Sequence, residues 1–145
     1  MNKKYSKRDP IKDYFPLPNE IFYLGLSYGE IAVYSYLLYC ENRKSFQCYP
    51  SYKTIGTALH MSRNTVSKYI RRLEERDLIA TEPTAIYTSQ GEKRNGNLLY
   101  TILPIEQAKK YFYDHQLENI DQIVAEDKQR KRIEKLNLKP NKQAV

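Results

Sequence analysis

The residues best suited to chemistry lie between positions 61 and 79, in the stretch MSRNTVSKYIRRLEERDLI. Five Lys or Arg side chains fall within residues 61–76, beside the amide of Asn64 and the hydroxyl of Ser67. Arginine can bridge the acceptors of guanine and asparagine can pair bidentately with adenine, whereas serine is less selective. These side chains are therefore suited to hydrogen bonding at the edges of bases in duplex DNA.

A helix over about residues 63–76 would sort these groups onto one side. At the ordinary rotation of about 100° per residue, four apolar residues share a single arc: Val66, Tyr69, Ile70 and Leu73. The candidates for base contact lie opposite or at the margin: Arg63, Asn64, Ser67, Lys68 and Arg71. Arg63, at the margin, could instead contact a flanking phosphate. A charged helix face is most often only a solvated surface, so the interpretation depends on the elements around it.

Two serines predict a pair of helices separated by a tight turn. Ser51 can cap a helix in YKTIGTALH, and Ser62 can cap the basic helix that follows. The apolar face expected for the first of these helices is Ile55, Ala58 and Leu59. About three residues, His60 to Ser62, separate the two helices, which is the length of the turn in a helix-turn-helix.

Further elements are predicted upstream of this pair. Pro18 can start a short helix that stops at Gly25, and Ser27 with Glu30 forms a capping-box pattern for a longer one. The core-facing stripe expected for the longer helix is Ile31, Tyr34, Leu37 and Leu38. The segment KSFQCYP predicts a short strand or an extended connection.

Two β-prone runs follow the basic helix, LIATEPTAIYTS and LLYTILP, so residues 78–103 predict a β wing. The segment QGEKRNGN between them has the Gly and Asn content of an exposed hairpin tip. Pro83 predicts a bulge, an edge position or a break in the first run. Lys93 and Arg94 would then lie at the tip, within reach of the sugar-phosphate backbone or an adjacent minor groove.

The remaining candidates would hold the DNA backbone and set the register of the protein. The start of a helix presents free amides to a phosphate. The residues assigned to backbone contact are Ser51, Tyr52, Lys53, Ser62, Thr65, Arg72, Lys93 and Arg94. For Ser51 and Ser62, simple helix capping is compatible with this role.

The C-terminal part predicts helix. Pro104 can start a helix over IEQAKKYFYDHQL with Ile105, Ala108, Tyr111 and Phe112 on its buried side, and a further helical stretch continues through residue 136. This extension either covers the domain or pairs with a second copy of the chain, although its apolar positions do not sustain a heptad. The expected organisation is a basic flexible arm (1–13), a DNA-binding domain (14–104), a helical extension (105–138) and a flexible tail (139–145).

The charge of the chain is +7 and is distributed unevenly. Residues 1–16 and residues 61–76 each carry +3, whereas residues 17–60 are neutral. Such a balance favours an anionic partner. No 18-residue apolar stretch and no export signal is present, so we expect a cytoplasmic protein that does not enter a membrane.

Catalytic and metal-binding signals are absent from the sequence. No recognised zinc-ligand spacing relates Cys40, Cys48, His60 and His115. We expect the two cysteines to be reduced and structural. No catalytic triad order and no phosphate-binding glycine loop is present. We therefore expect no enzyme, no metal and no cofactor, and no small-molecule ligand is evident.

The fourteen tyrosines could suggest stacking on single-stranded nucleic acid. Tyr34, Tyr69 and Tyr111 occupy apolar helical positions, so most tyrosines are expected in the core or half-buried. Tyr49 and Tyr52, beside the predicted DNA-facing helix, are the better candidates for contact with a nucleic acid.

The stretch SYKTIGTALHMSRNTVSKYIRRLEERDLIATE resembles the winged helix-turn-helix of bacterial regulators. Residues 14–104 are similar to helix-turn-helix proteins of Firmicutes and their phages, plasmids and integrative elements, including replication-initiator N-terminal domains. The matching positions are Ser62, Thr65, Val66, Leu73, Leu78 and Ile79, whereas Asp77 stands where many relatives have a helix-ending glycine. The resemblance implies a mainly α fold with a small β wing and a C-terminal helical extension.

The function expected from these features is sequence-specific binding of double-stranded DNA by a transcriptional regulator, with homodimerisation through the C-terminal helix as a possibility. A replication or mobile-element maintenance protein would use the same domain to mark an origin. A protein-interaction module that keeps the fold without affinity for DNA is the third interpretation.

Overall fold

The structure is a computed structural model that describes residues 4–138. The predicted tail, residues 139–145, and the first three residues of the predicted arm lie outside the described residues. Residues 4–18 form neither helix nor strand. The first regular element therefore follows Pro18.

The first helices start at the predicted residues. A 3₁₀ turn, Asn19–Phe22, follows Pro18. Helix α1, Tyr28–Cys40, is capped by Ser27, whose Oγ accepts a hydrogen bond from the Glu30 backbone N–H at 3.3 Å. The predicted cap is confirmed, but the Glu30 side chain turns toward two arginines instead of back to the cap.

Helix α1 buries Tyr34, Leu37 and Leu38 as predicted. The fourth buried apolar side chain of its stripe is Val33, and Ile31 is only half-buried. Both positions lie at edges of the same arc, and the partners packed against the helix decide which edge is covered.

Helices α2, Tyr52–Leu59, and α3, Arg63–Glu75, form the predicted helix-turn-helix. Helix α2 buries Ile55 and Gly56. The expectation that Ala58 belongs to its apolar face is wrong, because α2 turns its glycine side toward the core and leaves Ala58 exposed.

Helix α3 ends on a left-handed residue, Asp77, with φ of 57°. The Leu78 N–H donates to the Leu73 carbonyl and the Asp77 N–H to the Glu74 carbonyl, both at 3.1 Å. This is the hydrogen-bond pattern with which glycine commonly closes a helix. The aspartate therefore ends α3 in the same way as a glycine would.

Asp77→Gly should stabilise the protein. We expect the free energy of unfolding to rise by roughly 0.5–1 kcal/mol, because the left-handed region costs a residue with a Cβ about 1–2 kcal/mol and the entropy of glycine offsets only part of the gain. Urea unfolding followed by circular dichroism measures the change. Asp77→Ala, which removes the charge but keeps the Cβ, should show no gain.

Five short strands complete the domain. In chain order they are β1 Gln47–Cys48, β2 Ile79–Glu82, β3 Ala85–Tyr87, β4 Lys93–Asn95 and β5 Leu99–Ile102. An antiparallel sheet has the strand order β1-β5-β2, so Tyr100 lies between Cys48 and Thr81. The separate antiparallel pair β3-β4 forms the outer part of the wing.

Pro83 breaks the first run of the wing as predicted, since β2 ends just before it. The position expected for Lys93 and Arg94 is wrong: they lie in strand β4, opposite Tyr87 and Ile86, and not at the tip. The tip of the hairpin lies between Thr88 and Glu92, since the Thr88 N–H donates a hydrogen bond to the Glu92 carbonyl oxygen at 2.9 Å.

The C-terminal part forms a single helix, α4, Ile105–Asn137, instead of two stretches. Ala108 is buried, and Ile105, Tyr111 and Phe112 are half-buried, as predicted for this side. From residue 113 to the end of the helix, every residue except Asp127 is exposed. Most of α4 therefore does not cover the domain.

One apolar core joins the helices to the sheet, with Ile21, Leu37, Ile55, Leu73 and Tyr100 each fully buried.

The expectation that most tyrosines are buried or half-buried is wrong. Eight of the fourteen are exposed: Tyr5, Tyr14, Tyr23, Tyr28, Tyr39, Tyr49, Tyr87 and Tyr113. The small domain lacks the interior volume to bury more of these large side chains.

Among residues 4–138, no helix combines the length and the apolar character that crossing a membrane requires.

Candidate nucleic-acid interface

Both helices of the helix-turn-helix begin with the same serine-threonine arrangement. Ser51 Oγ accepts from the Thr54 N–H at 3.0 Å, and Ser62 Oγ accepts from the Thr65 N–H at 3.2 Å. In each case the two hydroxyl oxygens also lie 2.9 Å apart. Ser62 is exposed and Ser51 half-buried. Both helix starts are thus fixed by their own side chains.

The turn between α2 and α3 depends on a close backbone approach. His60 adopts the left-handed conformation, with φ of 56°, and the Met61 N–H donates to the Gly56 carbonyl at 2.9 Å. A Cβ on Gly56 would lie 2.4 Å from the Met61 carbonyl oxygen. Only glycine therefore lets the turn fold back against α2.

The inner side of α3 anchors it to the domain. Val66, Ile70 and Leu73 are at most 1% exposed, and Tyr69 is 7% exposed. All four residues of the predicted apolar arc are thus buried, so the opposite side of the helix must face outward.

The outer side of α3 carries the predicted base-facing residues. Arg63, Asn64, Lys68 and Arg71 are exposed, and Ser67 is half-buried. A shallow groove of about 370 Å³ is lined by Asn64, Ser67, Lys68, Arg71, Arg72 and Glu75. Arg71 Nη2 lies 3.5 Å from Ser67 Oγ, a long hydrogen bond that leaves the guanidinium free to turn outward.

Arg63 lies apart from the other base-facing candidates. It lines a cleft of about 540 Å³ with Ser51, Tyr52, Lys53 and Asn97. This cleft joins the starts of α2 and α3 to the base of the wing. Three of the predicted backbone-contacting residues therefore meet at one place, and Arg63 is grouped with them.

Tyr100 lies at the bottom of the same cleft and is fully buried. Burial raises the pKa of Tyr100, so its phenol stays protonated. Within the described part of the chain, its hydroxyl has no hydrogen-bond partner.

A buried carboxylate holds the last turn of α3. Glu30, 2% exposed, has Oε1 at 3.8 Å from Arg72 Nη1 and Oε2 at 3.4 Å from Arg76 Nε. Arg76 Nη1 also donates to the carbonyl oxygens of Leu24 and Gly25, at 3.2 and 3.3 Å. Arg76 thus has an internal role, and Arg72, predicted to contact a phosphate, is partly engaged within the protein.

The wing contributes two further cations. Lys93 and Arg94 are exposed in β4, and Arg94 Nη2 lies 4.0 Å from the exposed carboxylate of Glu92. A surface pair at this distance contributes little. Both side chains are therefore available to an anionic partner.

Two residues of this region are not identified by any pattern in the sequence. Asn97 lines the Arg63 cleft, and its Nδ2 donates to the Tyr49 carbonyl at 3.2 Å. The sequence pattern indicates Glu30 only as part of the cap of α1. No sequence pattern indicates either contact, because each joins segments about 40 or more residues apart.

Within residues 4–138, no group of three or more His, Cys, Asp or Glu side chains could hold a metal ion. Cys40 and Cys48 are both free thiols. Burial raises the pKa of Cys48 to about 12.

Residues 24–79 match the family model described as "Helix-turn-helix domain". This segment spans α1 through α3 and the first residue of β2. No curated protein matches the chain significantly.

Several solved structures are similar to parts of the chain. A possible transcriptional regulator from Methanosarcina mazei is 16% identical, with 73% of this chain and 80% of that chain covered and a TM-score of 0.48. A mutant of MepR from S. aureus, bound to an oligodeoxyribonucleotide, is 20% identical, with 82% of each chain covered and a TM-score of 0.40. The adhesin competence repressor of Streptococcus pyogenes is 13% identical, with 81% of each covered and a TM-score of 0.39.

Proposed function

We propose that this chain binds double-stranded DNA sequence-specifically and regulates transcription, starting from the helix-turn-helix match of residues 24–79. The observation that carries the proposal is the two-sided helix α3. Its apolar side is sealed in the core, and Asn64, Lys68 and Arg71 project from the opposite side. An α-helix presented in this way fits the major groove.

The proposed contacts divide into two groups. Asn64, Ser67, Lys68 and Arg71, which line one groove on α3, read base edges. Around the other cleft, Ser51, Tyr52, Lys53 and Arg63 hold the sugar-phosphate backbone. Ser62, Thr65, Arg72, Lys93 and Arg94 contribute further backbone contacts. Arg63 moves from base contact to backbone contact in this division because it lies beside Lys53.

The unit that binds DNA is residues 14–104, and α4 extends from it. The chain acts as a binding protein and not as an enzyme. Its two clusters of donors are arranged to contact an extended polyanion.

Selection from a random pool of duplex DNA tests the proposal. Sequencing of the bound fragments should reveal an enriched motif. Affinity for that motif should fall with salt, with a slope of log Kobs against log[salt] of about −0.9 for each phosphate contact. Footprinting on the parent genome then locates the sites: promoter sites support transcriptional regulation, and repeated sites at an origin would replace it with a replication or mobile-element role.

Absence of binding to any duplex at low salt would contradict the proposal. It would favour a protein-interaction module with a helix-turn-helix fold. Binding that shows salt dependence but no enriched motif would contradict sequence specificity alone.

We propose further that two copies associate through α4. Tyr113, Leu117, Ile120 and Val124 recur at spacings of four, three and four residues, and each is 48–61% exposed. The stripe stops at Asp127, which forms ion pairs with Arg130 and Lys131 of its own helix. An apolar stripe of this length on a projecting helix is a surface that a second helix would cover.

Sedimentation equilibrium distinguishes the two states of association. The native chain should sediment as a dimer, and Leu117→Glu should sediment as a monomer because it places a charge in the stripe. Gln122→Glu adds the same charge on the opposite side of α4 and should remain dimeric. A native chain that is monomeric at tens of micromolar would contradict the dimer.

A further inference from the structure

A second cleft, of about 690 Å³, lies away from the outer face of α3 and is formed by residues 13–16 and the C-terminal end of α1. Three aromatic rings line it, together with two carboxylates and one guanidinium: Tyr14, Phe15, Tyr39, Asp13, Glu41 and Arg43. Among the residues that line the cleft, the two carboxylates outnumber the single guanidinium. Tyr14 and Phe15 lie outside the family match of residues 24–79, and none of the three aromatic residues is among the proposed DNA contacts.

The aromatic rings present their surfaces to solvent. Tyr14 is 55% exposed, Phe15 40% and Tyr39 66%. Phe15 and Tyr39 pack edge to face, with ring centroids 5.9 Å apart and an interplanar angle of 61°. The face of such a ring attracts cations. The guanidinium of Arg8 already lies over the Tyr14 ring, 5.7 Å from its centroid, which shows that this ring is accessible to a cation.

The Glu41 carboxylate is the second feature of the cleft. Its side chain is only 5% exposed, and Oε2 has no hydrogen-bond partner among the described residues. Its other oxygen, Oε1, lies 3.7 Å from Arg43 Nη1, but the Arg43 side chain is 58% exposed. Burial raises the pKa of Glu41, and Arg43 acts in the opposite direction without cancelling it. The carboxylate is therefore incompletely compensated.

The C-terminal end of helix α1 adds to the negative electrostatic potential in the cleft. Glu41 is the C-cap residue of the helix, and the last turn contains no basic residue. The carbonyl end of a helix carries partial negative charge and favours a cation. The backbone, the carboxylate and the aromatic faces thus all favour positive charge at one place.

We propose that this cleft binds a small organic cation, an alkylated ammonium attached to an apolar group. The ammonium lies against Glu41 and the rings of Tyr14 and Tyr39, and the apolar group contacts Phe15 and Leu38. An anion would be repelled by the two carboxylates, and a neutral apolar molecule would leave Glu41 uncompensated. A bare metal ion would gain nothing from the aromatic walls, which supply no metal ligands.

Isothermal titration with benzyltrimethylammonium tests the site in the absence of DNA. The full chain should bind one equivalent saturably, with a Kd on the order of 1 mM or lower, as expected for about ten heavy atoms. Tetramethylammonium, which lacks the apolar group, and benzyl alcohol, which lacks the charge, should each bind at least about fivefold more weakly.

Four variants define the site. Glu41→Gln and Tyr39→Leu should each weaken binding by about five- to tenfold, since each removes one source of attraction for the cation. Arg43→Ala should strengthen binding, because it removes the competing guanidinium. Tyr23→Leu changes a tyrosine that is 75% exposed and does not line the cleft, and it should have no effect.

Thermal unfolding of each variant ensures that only folded proteins are compared. Because Tyr39 and Arg43 are exposed, their substitutions keep the fold and decide the result even where Glu41→Gln does not. Equal binding of benzyl alcohol and benzyltrimethylammonium, no saturable binding at all, or weaker binding by Arg43→Ala would each overturn the proposal. DNA binding is not involved in these measurements, so their outcome is independent of the proposed function.

Discussion

Gly56→Ala should lower the free energy of unfolding by about 2–3 kcal/mol, the upper range for an added carbon that a packed structure cannot accommodate. The new Cβ would lie 2.4 Å from the Met61 carbonyl oxygen, which is backbone and cannot rotate away. The turn would have to open, and α3 would shift relative to α2. Urea unfolding followed by circular dichroism measures the loss, and affinity for the selected DNA should fall with it.

The matched control is Gly91→Ala. Gly91 also carries no Cβ, but the space around it is empty to 4 Å, and only its φ of 80° disfavours alanine. We expect a loss of about 1 kcal/mol from this backbone strain. A loss for Gly56→Ala no larger than that for Gly91→Ala would show that the turn yields without cost.

Arg71→Ala should reduce discrimination between the selected DNA motif and unrelated duplexes by about 1–3 kcal/mol, or roughly 5- to 150-fold. The side chain is exposed on the outer face of α3, beside Ser67 and Lys68. Arg71→Lys is the sharper variant, because it keeps the charge and removes the planar fork that pairs with a base. It should lose discrimination while retaining affinity for unrelated DNA. Competition titrations with both duplexes measure the two quantities separately.

Lys93→Ala tests the other half of the division. Lys93 is exposed in the wing, and a lysine on a phosphate carries no sequence information. Its loss should weaken binding to all sequences by a similar factor and make the salt slope shallower by about 0.9. If Arg71→Ala and Lys93→Ala had the same effect on every sequence, the assignment of base and backbone contacts would be wrong.

The local elements of the fold could be predicted from the sequence because their signals are short-range. Ser27, Ser51 and Ser62 each cap the helix that follows, and the arc of Val66, Tyr69, Ile70 and Leu73 is buried as a helical period requires. The predicted fold, mainly α with a small β wing and a C-terminal helix, is confirmed. The expectation for Ala58 is wrong because the packing of Gly56 against the turn decides which side of α2 is buried. The helical period of α2 alone does not decide it.

For the proposed site, the sequence predicts which side chains are exposed but not which of them lie together. The outward position of Asn64, Lys68 and Arg71 follows from the same helical period that buries the opposite side. The grouping of Arg63 with Lys53 and Asn97, and the capture of Arg76 by Glu30, depend on contacts between distant segments. Those contacts leave no local pattern in the sequence.

The separation of the two sides of α3 also determines how its target could be changed. Val66, Ile70 and Leu73 are buried in the core, whereas Asn64, Lys68 and Arg71 are exposed. The outward positions can therefore be exchanged as a set at little cost to folding. Such a chain is a suitable scaffold for changing DNA specificity, because a few exposed residues of α3 can be substituted while the fold is kept.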